Sequence, residues 1–248
     1  MQSRPLLNPG LAVLTALAAL LVCPLALTQS STPTHSSSSG RVQKPAADAG
    51  IESGSVANGV YRNKSLGLTY KIPEGWVLRT DEMNAKEDAA NEAAQNPHFS
   101  QNQGEAGHPT SAQPQTTPRD TKEARVLLAA FSRPPEARGE DVNSSIVIAA
   151  ENVEVYPGLK EAAQYFGPLT EVAVAQGFSV DEEPYEVEIG TRKQVRGDFH
   201  KDVGSRVMRQ STLVWLAHGY AISITVIGGT EDEVEQLVDG VTFGSRER

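Results

Sequence analysis

Between Asp181 and Arg209 the chain carries its densest alternation of charge. Asp181, Glu182, Glu183, Glu186 and Glu188 are followed by Arg192, Lys193, Arg196, Lys201, Arg206 and Arg209, offset only by Asp198 and Asp202. Two chemistries fit this spacing. On adjacent antiparallel strands the acidic and basic sets pair across the ladder, each pair contributing about 0.2–1 kcal/mol. Alternatively the basic side chains converge while the acids point elsewhere, and the face binds an anion, an acidic polymer or lipid headgroups. With His200 closing the same segment, the candidate ligand-binding set is Arg192, Lys193, Arg196, His200 and Arg206.

Other reactive chemistry is sparse. Of the five histidines, His35, His98 and His108 fall in stretches too polar to order, and a catalytic base must be held within hydrogen-bond reach of its target. His200 reads as an exposed strand-end residue or an anion contact, and His218-Gly219 as a tight turn. There is no G-x-S-x-G elbow, H-E-x-x-H, P-loop or G-x-G-x-x-G. A single cysteine, Cys23, excludes an internal disulfide framework and a cysteine-built metal cluster. No catalytic residue, metal ligand or cofactor is therefore assigned. With 31 acidic against 22 basic residues in 248 and a net charge of −9, attraction to nucleic acid is excluded as a general function.

The N-terminus supplies an address. Arg4 precedes an apolar run from Leu11 to Leu27 broken only by Thr15, Cys23 and Pro24. A short basic start, an apolar middle and a polar exit mark residues 1–30 as a secretory signal peptide. The run barely reaches the roughly 17–25 residues that span a bilayer. Two fates stay open: cleavage, giving a secreted or periplasmic protein, or retention as an anchor through residues 11–27, the chain's one membrane contact. Leu21-Val22 before Cys23 argue against lipidation, which needs small residues there.

Residues 31–58 are rich in Ser, Thr, Pro and Ala and predict a disordered linker. A single domain is expected over 59–243, interrupted by an insertion at 81–122, with 244–248 as a tail. Within the insertion Asp81–Gln95 suits a short exposed helix, Met83 being its one strongly apolar residue, and Asn96–Thr121 looks disordered. Val60–Ile72 predicts a hairpin through a polar Asn63-Lys64-Ser65 turn, with Leu66, Leu68, Tyr70 and Ile72 alternating. Val126–Phe131, Ser145–Ala150, Tyr185–Ile189, Gln194–His200, Arg206–Ala217 and Tyr220–Ile227 read as further strands. Gly158–Gln176 reads as a helix kinked at Gly167-Pro168. Thr230-Glu231-Asp232-Glu233 is a capping box that opens a final helix with Val234, Leu237, Val238 and Val241 on its buried stripe.

Leu66-Gly67-Leu68-Thr69-Tyr70-Lys71-Ile72-Pro73-Glu74-Gly75-Trp76, Gly219–Thr225 and the closing Glu231–Phe243 helix together resemble the PsbP-like family of extracytoplasmic domains. The resemblance implies an α+β fold, an antiparallel β-sheet packed between helices as an α/β/α sandwich. It also implies binding and assembly, with no shared catalytic residues. The expected function is an exported, non-enzymatic module that meets an unknown protein or anionic ligand in the cell envelope. The alternative is a small secreted hydrolase whose site has no local motif; a cleft gathering His200 with acidic and hydroxyl residues would favour it.

Overall fold

The computed structural model describes residues 51–95, 124–137, 139 and 141–244. The expected signal peptide, most of the linker and Asn96–Thr121 lie outside the described residues. The fold is α+β. Strands β4 (Val77–Leu78), β5 (Ala124–Phe131), β6 (Ser145–Asn152), β11 (Tyr220–Gly228), β10 (Arg206–Ala217), β9 (Arg192–Val203) and β7 (Ser179–Val180) form one sheet in that spatial order. Strand β8 (Tyr185–Ile189) pairs with the other half of β9. A smaller sheet has the order β1 (Ser55–Ala57), β2 (Val60–Asn63), β3 (Leu68–Lys71), β12 (Val241–Phe243).

Alternation on the central strands assigns their two faces. Leu213, Trp215, Ile222, Ile224, Ile146 and Ile148 pack on one side with α3 (Glu231–Asp239) and the small sheet. Val195, Phe199, Val214 and Ala221 pack on the other with α2 (Ala162–Ala175). Val126, Ala129, Phe131, Val147 and Ala149 extend that second face beneath α1 (Thr80–Gln95). The apolar pattern on both faces of β11 thus follows from helices on both sides of the sheet. A bulge between Val126 and Leu128 turns Leu127 and Leu128 to the same core.

The structure departs from the sequence reading at β1, at α1 and at the start of α2. Strand β1 lies inside the stretch 31–58 assigned to the linker, because it pairs with β2. Composition cannot register a partner of that kind. Likewise α1 is docked rather than exposed. Met83 is buried, Asn84 accepts from the Val126 N–H at 3.0 Å and donates to its carbonyl at 2.9 Å, and Thr80 accepts from the Ala129 N–H. These side chains satisfy the backbone of β5 where the two-residue β4 ends, so α1 closes a sheet edge.

The helix read over 158–176 starts at Ala162 and runs through Pro168 as one element. Glu161 and Gln164 form its capping box, which fixes the later start. At α3 the Thr230 hydroxyl accepts from the Glu233 N–H as expected. Glu233, however, reaches past the cap to accept from the Gly229 N–H and the Ser144 hydroxyl, tying α3 to the sheet. His218 and Gly219 both adopt positive φ (53° and 79°), the two-residue hairpin geometry the sequence implied. Among the described residues no helix is long and apolar enough to cross a membrane.

Candidate functional site

Three turns meet at one end of the molecule: Lys64–Gly67 between β2 and β3, Gly190-Thr191 between β8 and β9, and His218-Gly219 between β10 and β11. Together with Phe243 and Gly244 they enclose a cleft of about 1030 Å³. Lys64, Arg192, Lys193 and His218 line it, and among the described residues no aspartate or glutamate does. In a chain of net charge −9 this is a local reversal of sign.

The first turn is built to hold its shape. Asn63 is buried; its carbonyl oxygen accepts from the Leu66 N–H at 3.0 Å and the Ser65 hydroxyl at 2.7 Å, and its amide donates to the Glu52 carbonyl at 2.7 Å. The Glu52 carboxylate accepts from the Lys64 and Ser65 N–H groups. His218 then meets the Ser65 carbonyl through Nε2 at 3.1 Å, joining two of the three turns. Removing the Asn63 side chain leaves the buried Leu66 N–H and the part-buried Glu52 carbonyl without their partner. Asn63→Ala is expected to lower stability by about 2–3 kcal/mol in urea unfolding; a loss under about half a kcal/mol would contradict this account of the turn.

Arg192 is fixed across the cleft. Its guanidinium donates to the Leu66 carbonyl at 3.1 Å and lies 4.9 Å from the Phe243 ring centroid and 5.5 Å from that of Trp215. The two rings meet edge to face at 5.3 Å. Their attraction for the cation fixes where the guanidinium sits. Lys193 is largely exposed and only loosely paired, 3.9 Å from Glu186.

The other candidate residues lie elsewhere. Arg196 shares a face with Arg192 but is bridged by Asp198 at 3.0 Å and by Glu235 of α3. Burial alone would lower its pKa; the Glu235 hydrogen bonds and the Asp198 charge outweigh this and hold it above the usual range. Its cavity of about 200 Å³ is lined by Asp181, Glu182, Asp198, Glu231 and Glu235, so the guanidinium is spent within the fold. His200 pairs with Asp181 through Nδ1 and lines none of these cavities. Arg206 stands at the β9–β10 hairpin, opposite Val203. The basic set therefore divides by place: Arg196 and His200 are held by acids away from the cleft, whereas Arg192 and Lys193 line it, Lys193 within 3.9 Å of Glu186.

Lys64 and His218 join Arg192 and Lys193 in that cleft, and the sequence did not single them out for binding. No local signal could have done so, since they come from hairpins that meet only through the sheet order. A second cavity, of about 390 Å³, adjoins the first at Arg192, Lys193 and Leu216 and runs to Lys160 and the start of α2, with Glu161 and Glu186 also on its wall. Among the described residues there is no cluster of His, Cys, Asp and Glu able to hold a metal ion.

No family model matches the chain, and no curated protein does. Similar solved structures include a protein of unknown function from Pseudomonas aeruginosa, 17% identical with a TM-score of 0.33, over 46% of this chain and 80% of that one. LpqN of Mycobacterium tuberculosis, described as involved in cell envelope biogenesis, is 10% identical with a TM-score of 0.30, over 49% of this chain and 78% of its own. A protein from Bacteroides thetaiotaomicron is 10% identical with a TM-score of 0.33, over 73% of this chain and 46% of that one.

Proposed function

We propose that the protein is an exported, non-enzymatic binding module that holds an anionic ligand in the cleft at the turn end of its sheet. The observation that carries this reading is the convergence of Lys64, Arg192, Lys193 and His218 on a cleft that, among the described residues, no acidic side chain lines. Preorganisation supports it too: Asn63, Glu52 and the aromatic pair fix two sides of the cleft before any ligand arrives, which reduces the ordering cost of binding. The apolar run at 11–27 supports export. The resemblance to PsbP-like domains accords with such a module.

The test is calorimetric titration with citrate at low salt, where exposed charges are little screened. Replacing Arg192 and Lys193 together by Glu is expected to weaken binding at least about tenfold, the equivalent of roughly 1.4 kcal/mol. A control with the same charge change, Lys71→Glu with Lys86→Glu, places it on exposed positions outside the cleft. Equal loss in both pairs would show only an effect of net charge and would overturn the assignment.

A further inference from the structure

Gln194 and Trp215 are both buried, at 2% and 4% exposure, yet the Gln194 Nε2 and Oε1 and the Trp215 Nε1 have no hydrogen-bond partner among the described residues. Leaving a buried amide unpaired at both ends costs several kcal/mol, so native proteins rarely do it without a purpose. The two orphans are neighbours: Val214 pairs with Val195 in the β10–β9 ladder, which brings Trp215 and Gln194 next in register. Both border the second cavity, where it meets the first, and Arg192 lies across the Trp215 ring.

Resting on the anion-binding reading above, we infer that the joined cavities take an extended acidic peptide segment of a partner protein. Its carboxylates meet Lys64, Arg192 and Lys193 in the first cavity and Lys160 in the second, where Glu161 and Glu186 also stand and confine the acidic contacts to the basic end. Its main-chain amide supplies what the orphans lack, a carbonyl for the indole N–H and a donor–acceptor pair for the Gln194 carboxamide. A carboxylate that draws the Arg192 guanidinium onto itself uncovers the pair.

Two other anionic ligands fit less well. An acidic glycan gains from stacking on an open aromatic face, but the Trp215 and Phe243 rings are turned on each other and covered by Arg192. A lipid needs an apolar landing, yet the exposed large apolar residues Val56, Leu78, Val174, Val180 and Val203 line neither cavity. The trough also exceeds what a single small oxyanion fills, which favours an elongated occupant.

The experiment compares four probes on the intact protein: citrate, a capped peptide of alternating glutamate and serine, oligogalacturonate, and phosphatidylglycerol vesicles. The peptide is expected to bind at least about tenfold tighter than citrate, the worth of one or two hydrogen bonds. It is also expected to move the Trp215 indole N–H proton resonance downfield, which citrate does not. Trp76→Phe identifies that resonance, since the chain has two tryptophans. Gln194→Met, close in volume, should erase the peptide's advantage and leave citrate binding intact; the indole shift in the unsubstituted protein decides the matter should that variant fold poorly.

A peptide no tighter than citrate, an unmoved indole resonance, or tighter binding of oligogalacturonate or vesicles overturns the peptide inference while the anion site stands. Failure of all four probes overturns both.

Discussion

Stability of this protein is expected to fall as pH rises from about 4.5 to 7, and Glu151→Gln is expected to remove that slope. Glu151 lies near the end of β6 and is 1% exposed; its Oε2 accepts from the Tyr156 hydroxyl at 2.6 Å, while Oε1 has no partner among the described residues. Burial raises its pKa to about 7 against the opposing pull of the Tyr156 and Tyr165 hydroxyls. The folded state therefore holds this proton through a range where the unfolded chain has lost it. The stabilisation is full below the unfolded value near 4.5 and is lost as pH passes through about 7. A shift of that size corresponds to about 3 kcal/mol. The carboxamide that replaces the carboxyl in the Glu151→Gln variant would keep the Tyr156 contact and carry no charge, so at about pH 8 the variant should be the more stable protein. Urea unfolding of both proteins from about pH 4 to 8 measures this; parallel profiles would contradict it. Tyr165 belongs to α2 and Tyr156 to the turn before it, their rings edge to face at 5.4 Å. Protection of α2 against hydrogen exchange, corrected for the base-catalysed intrinsic rate, should accordingly fall between about pH 4.5 and 7 in the parent alone.

The second large effect concerns Gly197, in the middle of β9 beneath α2. A Cβ built there would lie 2.4 Å from Phe166 Cε1 and 2.9 Å from Cδ1. Phe166 is itself buried among Tyr156, Leu169 and Phe199, so it has little room to move. Gly197→Ala is expected to cost about 3 kcal/mol, the upper end of what overpacking does. Phe166→Leu alone should also destabilise, but the double variant should recover part of the sum, a coupling that only contact produces. A neutral Gly197→Ala, or strict additivity, would refute this packing account.

Much of the architecture could be read because its determinants are local. Alternation in Leu213–Leu216 and Ile222–Val226, the His218-Gly219 turn and the Thr230 cap each act within a few residues. What escaped the sequence depends on partners far along the chain. Strand β1 looks like linker until Arg62 and Tyr61 stand opposite it. Helix α1 looks solvated because its docking uses Asn84 and Thr80 rather than an apolar stripe. The site shows the same division. Charge spacing drew attention to β9, and Arg192 and Lys193 do line a basic cleft. Spacing could not tell them from Arg196 and His200, because the acids that pair with those two include Glu235, on another element, and Asp181, before β8. Lys64 and His218 reach the cleft only through the stacking of two sheets.

The most direct measurement is a two-dimensional NMR titration of the folded domain with citrate at low ionic strength. Saturable amide shifts are expected, confined to Lys64–Gly67, Thr191–Lys193 and Leu216–His218, the turns that line the cleft. Shifts absent from those turns at saturating citrate, or gathered instead around Arg196 and Arg209, would contradict this assignment.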